Sequence, residues 1–158
     1  MKKKVTLNFF SHSRKWSRRM SKIKHLTNRT IKIMYSYFDK DYLIYLNLIL
    51  SEKKNMIKLN KKYKKNNKDT DVLTFVSKNQ NKFLGNILYC DIFFSIDVIE
   101  KYIEKNKINL YEHFNHLLIH SVLHMNGYNH KSLIQFKKMK KEEIKILKKL
   151  SIKNPYIY

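Results

Sequence analysis

Hydrophobic and polar positions change period several times along the chain, and each change marks an element. Val5, Leu7 and Phe9 alternate with polar residues, the pattern of a short first strand. From Trp16 to about Tyr37, Trp16, Met20, Ile23, Leu26, Ile31 and Met34 form a broken helical stripe, which predicts a helix. Asp39-Lys40-Asp41 reads as a turn. Tyr42 to Leu50 is apolar, β-branched and aromatic enough for a buried strand. Ser51 can N-cap a helix through Tyr63, with Met56, Ile57, Leu59 and Tyr63 facing inward. Lys61 to Asp69 is polar and reads as an exposed loop. Thr70 to Val76 is a strand, Lys78 to Lys82 a turn, and Phe83 to Tyr89 a strand in which Gly85 marks a bulge or a close approach. Asp91 or Ser95 opens a helix to about Asn106. Leu110 to Met125 is apolar on most sides, as a core helix is. Ser132 to Leu150 is an amphipathic last helix with Leu133, Phe136, Met139, Leu147 and Leu150 inward. Ser151 to Tyr158 is expected to be a frayed, flexible tail. The order β-α-β-α-β-β-α-α-α predicts an α+β fold, a small mixed sheet of about four strands covered by about five helices. No linker or repeat divides residues 1–158, so one domain is expected.

Composition sharpens this picture in three places. Apolar residues make up 43% and aromatics 13%, which excludes a disordered chain. The single cysteine, Cys90, excludes an intramolecular disulfide framework and suits a reducing compartment, so a cytoplasmic location is expected. The longest apolar runs are too short to span a bilayer, and no apolar core follows Lys2 to Lys4 as a secretory signal requires.

Charge points to a polyanion partner: 34 basic less 12 acidic residues gives +22, with pI about 10.0. This reading has a rival. The chain has two glycines, one proline, no alanine and only four arginines, while Lys, Asn, Ile, Tyr and Phe abound. Those abundant residues have A- and T-rich codons, so a genome drifting toward A+T would inflate Lys without selection for nucleic acid. Whatever its origin, such charge attracts polyanions, with an affinity that falls as salt rises. Arg18, Arg19, Lys22 and Lys24 on the first helix are either a phosphate-contacting patch or a solvated face. The basic start, free of acidic residues before Asp39, is either a targeting segment or the opening of a basic domain.

The chemistry concentrates in His120-Ser121-Val122-Leu123-His124-Met125-Asn126-Gly127-Tyr128-Asn129-His130. Residues four apart share one helix face, so His120 and His124 can aim at one centre. Gly127 can end the helix in the left-handed conformation and swing His130 back toward that centre. Three imidazoles make a three-ligand zinc site with the fourth position open to water, whose pKa a zinc ion lowers. This is the His/His/Gly/His frame of the metzincin metalloproteases, a zincin-like metal helix. The glutamate those enzymes carry after the first histidine is Ser121 here, which cannot serve as their general base. A peptidase is therefore not expected. His116 is expected beside the site as a packing or supporting histidine, and His113 at the surface.

Leu59-Asn60-x-x-Tyr63, Thr70-Asp71-Val72-Leu73-Thr74-Phe75, Leu84-Gly85-Asn86-Ile87 and the histidine block together resemble the four signature blocks of the YbeY family of bacterial endoribonucleases. The resemblance runs from about Val5 to Leu150. It implies a single-domain zinc hydrolase of single-stranded RNA that matures the 3′ end of small-subunit rRNA and shares in ribosome quality control. It places one zinc ion per chain on His120, His124 and His130, with RNA and ribosomal proteins as partners and no membrane. The family arginine implicated in catalysis falls on Lys64, which keeps the charge for a phosphate but loses the bidentate fork. The family's Gly-Asp-Ile is Gly85-Asn86-Ile87, and its Gly-Tyr-Asp-His is Gly127-Tyr128-Asn129-His130. No general base is identified; Asp71 is the nearest motif carboxylate, and a strand-edge or capping role suits it better. The alternatives are a non-catalytic rRNA-binding assembly protein with a vestigial metal site, or a metal hydrolase on another substrate.

Overall fold

The computed structural model describes residues 4–157, so Lys2 and Lys3 of the basic start lie outside the described residues. Strands β1 (Val5–Ser11), β2 (Tyr42–Ser51), β3 (Val72–Asn81) and β4 (Gly85–Ser95) form one sheet in the order β1-β2-β4-β3. The β1/β2 and β2/β4 pairs are parallel, and β3/β4 is antiparallel. Parallel neighbours need crossover connections, and the helices supply them. Helix α1 (Met20–Ile33) joins β1 to β2, and α2 (Lys53–Lys64) begins the return from β2. Helices α3 (Ile96–Asn106), α4 (Leu110–Met125) and α5 (Leu133–Lys149) follow β4. This is the expected α+β fold, with four mixed strands and five helices.

Alternation in the two central strands sets the core. Ile44, Leu46, Leu48 and Leu50 of β2, with Leu88, Cys90, Ile92 and Phe94 of β4, share one face. Against them lie Phe114, Leu118 and Val122 of α4, all fully buried. The histidine helix is thus a core element, fixed by apolar contacts on most of its circumference. Among the described residues no helix is long and apolar enough to cross a membrane.

Several boundaries differ from the expectations, each for a local reason. The stretch 16–37 is not one helix. Residues Arg14–Arg19 wind as a tighter 3-10 turn capped by Ser13, and Trp16 there donates its Nε1–H to the Ser51 carbonyl at 2.8 Å. Ser51 remains in β2; Glu52 is the N-cap of α2. Tyr63 is exposed rather than inward, and Asn60 takes the buried place, its Nδ2 donating to the Lys68 carbonyl at 2.6 Å. Strand β3 runs on to Asn81, so most of the expected Lys78–Lys82 turn is strand. The hairpin turns at Lys82-Phe83-Leu84, where Asn81 Oδ1 accepts from the Phe83 and Leu84 amides at 2.9 and 3.0 Å. Gly85 sits at φ +80 as the chain leaves this turn, with nothing near where a Cβ would be. Its role is backbone freedom, not a bulge or close approach. Strand β4 continues through Asp91 to Ser95, which leads into α3.

Helix α5 begins with a capping box between Ser132 and Gln135. Its first turns project Leu133 and Phe136 to solvent instead of inward; Met139, Ile146, Leu147 and Leu150 carry the buried stripe. The stretch after α5, expected as a frayed tail, returns to the helices. Ile152 packs on the core, and the Tyr156 hydroxyl donates to Glu143.

Candidate metal centre

Helix α4 ends in the way Gly127 suggests. At φ +87 it allows two closing hydrogen bonds: Gly127 N–H to the His124 carbonyl and Tyr128 N–H to the Leu123 carbonyl, each 3.0 Å. The same turn then returns a carbonyl to the helix. His124 Nδ1 lies 2.9 Å from the Tyr128 oxygen. A carbonyl only accepts, so this nitrogen carries the proton and His124 Nε2 carries a lone pair.

His120 is fixed in the same tautomer by a different partner. Its Nδ1 is 2.6 Å from Glu143 Oε1 on α5. Glu143 is only 1% exposed. Burial alone would raise its pKa, but hydrogen bonds from His116, His120 and Tyr156 outweigh that and hold it at about 2. An ionised carboxylate accepts, so His120 Nδ1 donates and its Nε2 is also a lone pair. The two Nε2 atoms face each other at 3.0 Å. Two lone pairs at that distance repel unless a proton or a metal cation lies between them, and burial lowers the His124 pKa, which disfavours a proton on His124. His130 completes the group. Ligand atoms of His120, His124 and His130 all lie within 4.8 Å of one another and could hold a metal ion. Among the described residues no other His, Cys, Asp or Glu joins this group, so its protein donors number three.

The three rings open onto a cleft of about 550 Å³ that Lys64, Asp71 and Val72 also line. Lys64, the last residue of α2, is therefore beside the histidines. Ser121 is fully buried on the core side and its Oγ has no partner, so it takes no part in the cleft. Asn86 is exposed at the start of β4 and does not line the cleft. The missing carboxylate at that position leaves the cleft wall unchanged.

His116 lies beside the three-histidine group and is not part of it. Its Nε2 is 3.0 Å from Glu143 Oε2. His113 is not at the surface: it is buried, stacked on Tyr102 with ring centroids 4.3 Å apart, and 3.4 Å from Asp71 Oδ2. Burial pushes the Asp71 pKa up, but the His113 ring and local backbone amides pull harder, and the carboxyl sits below its ordinary range. Glu143, which joins His116, His120 and Tyr156, is the residue of this cluster that pattern reading missed. Its signal was present: it falls on the Met139, Ile146, Leu147, Leu150 stripe, where a carboxylate is out of place unless it has partners.

Comparison with known proteins agrees with this geometry. The model of the family described as Endoribonuclease YbeY matches residues 9–151. The chain is 31% identical to the endoribonuclease YbeY of Buchnera aphidicola subsp. Baizongia pistaciae, with all of both chains covered. It is 35% identical to that of Ehrlichia chaffeensis, covering 91% of this chain and 92% of the other. Its fold is similar to the solution structure of a Thermotoga maritima protein, with TM-score 0.57, 18% identity, and 97% and 100% of the two chains covered. With the family model spanning nearly the whole chain and relatives above 30% identity at full length, this chain belongs to the YbeY endoribonuclease family.

Proposed function

We propose that this chain is a zinc-dependent endoribonuclease of single-stranded RNA, acting in the cytoplasm on the small ribosomal subunit. There it matures the 3′ end of the rRNA and takes part in quality control, in contact with rRNA and neighbouring ribosomal proteins. Family membership supports the reaction class. The observation that carries the zinc reading is the pair of Nε2 lone pairs converging 3.0 Å apart, each fixed by an acceptor on its Nδ1. His120, His124 and His130 hold one ion per chain. When bound, zinc acts as a Lewis acid and makes water a better nucleophile at neutral pH.

The remaining residues bind and orient. Lys64 offers its ammonium to the phosphate from the cleft wall, where charge develops as the phosphodiester is attacked. The +22 charge attracts RNA to the protein surface as a whole and makes binding salt-dependent. Glu143 keeps His120 in its ligating tautomer, and the Tyr128 carbonyl does the same for His124.

The test is the zinc content of the purified protein, together with cleavage of single-stranded RNA against a peptide library in the presence and absence of chelator. One zinc per chain and chelator-sensitive RNA cutting are expected. Wild-type protein without bound metal, or cutting that survives chelation, overturns the reading. In cells, the 3′ ends of small-subunit rRNA should lengthen when His124→Ala replaces the wild type.

A further inference from the structure

The metal cleft does not end at the histidines. A smaller cavity of about 230 Å³ continues from it, sharing Asp71, Val72 and His120 with the cleft. A third, of about 240 Å³, continues from the second, sharing Tyr102, His113 and His116. The three cavities follow one another along α4, each sharing wall residues with the next. His116 lies one helical turn from His120, about 6 Å along the axis, and His113 about 10 Å. That is the scale of a neighbouring nucleotide on an extended strand. Each small cavity falls below the usual range for a drug-sized ligand and suits a single ring system.

The walls have the chemistry of a base site. Tyr102 is 43% exposed, and one face of its ring lies on His113 at an interplanar angle of 17°. Tyr102 lines both small cavities, its ring backed by His113. His113 is 94% buried, and its Nε2 has no hydrogen-bond partner: Asp71 Oδ2 is 3.4 Å away without the alignment of a bond. The His113 ring thus serves as the buried backing of Tyr102, while the Asp71 carboxylate, 27% exposed, lines the cavity as its acceptor. Lys107 and Lys153 stand at the far end, where the strand's backbone would leave.

We propose that this groove is a nucleobase subsite, in which the base next to the scissile phosphate stacks on Tyr102 and presents an exocyclic amine to Asp71. This rests on the RNA reading of the metal cleft. Stacking is indifferent to base identity, whereas a carboxylate accepts from the N4 amine of cytosine and has nothing to accept from O4 of uracil.

The experiment uses a fluorescein-labelled 12-nucleotide RNA with a mapped cut, and variants of it carrying one abasic residue at each position in turn. Affinity is read by anisotropy in chelator, where nothing is cut, and KM and kcat are read with zinc. One abasic position, adjacent to the cut, should weaken binding about tenfold and raise KM with kcat little changed. Tyr102→Ala should weaken the intact RNA to the same degree and remove the abasic penalty, while Tyr102→Phe should bind as wild type. Cytidine at that position should bind better than uridine, and Asp71→Asn should erase the difference. Abasic penalties that are uniform along the strand, or additive with Tyr102→Ala, overturn the subsite. Equal binding of the cytidine and uridine RNAs overturns the role of Asp71. If the wild type cuts no RNA, the proposed function fails, yet coupling between Tyr102 and one base position in chelator would still establish the subsite.

Discussion

The two halves of the histidine stripe on α4 have the same residue type on one helix face, three apart in one half and four apart in the other, and opposite fates. In the half nearer the C-terminus, His120 and His124 bond through Nδ1, to Glu143 and to the Tyr128 carbonyl. In the other half, His116 gives Nε2 to Glu143, and His113 turns Nε2 toward Asp71. An imidazole has two nitrogens, and the partner of one decides the availability of the other. Where the partner takes Nδ1, the outer nitrogen is left for a common centre. Where a carboxylate takes Nε2, the ring is a support. Glu143 divides the two halves, since one oxygen serves each kind of histidine.

The largest effect that would break this contrast comes from exchanging the halves. His124→Ala should abolish stoichiometric zinc and lower kcat/KM on single-stranded RNA by about 10³-fold or more, since several kcal/mol of metal catalysis are lost. His116→Ala should retain one zinc per chain and activity within about tenfold of wild type. Metal analysis and kinetics on the two proteins decide it, and loss of zinc from the His116 variant alone would reverse the assignment.

Next in size is Glu143→Gln. The amide oxygen can accept from one histidine but not from both together with Tyr156. Zinc affinity measured by chelator competition should fall about 10- to 100-fold, the usual cost of losing such a supporting acceptor. Unchanged affinity would show that His120 needs no anchor. Lys64→Ala should follow, with kcat/KM reduced about tenfold through loss of one charge at the phosphate; Lys64→Arg should equal or exceed wild type, because the fork adds a second hydrogen bond.

How far these features could be read in the sequence depends on the range of the interaction. Helix α4 is bounded at Leu110 and Met125 as expected, because its apolar periodicity and the Gly127 stop are both local. The convergence of His120, His124 and His130 was legible for the same reason: all three lie within one turn-and-loop unit. Glu143 was not, because it comes from α5 and only packing brings it to α4. His113 was placed at the surface because nothing nearby in sequence indicates that Tyr102 and Asp71 cover it. The β3–β4 hairpin was cut short for a related reason. Lys78, Asn79, Gln80 and Asn81 are poor strand formers, but β4 offers them a complete antiparallel ladder, and pairing overrides propensity. Leu133 and Phe136 continue the apolar spacing of α5 past the point where the core ends, so periodicity alone turned them inward.

The smallest test sharpens the supporting half. Asp71 is three-quarters shielded and sits 3.4 Å from His113, so Asp71→Asn should destabilise the metal-free protein by about 1 kcal/mol at pH 7. The sign with pH follows from the direction of its shift. The folded pKa lies below the ordinary 3.8, so the ionised form is favoured by folding. That contribution is fully present above the unfolded value and is lost as pH falls through the folded one. Urea midpoints of wild type and variant, both in chelator, should therefore differ most at pH 7 and converge toward pH 3. A gap that widens in acid would mean the carboxyl is held protonated in the fold. His113 would then face a donor rather than an acceptor, and the electrostatic pairing that turns its Nε2 toward Asp71, away from the common centre, would be absent.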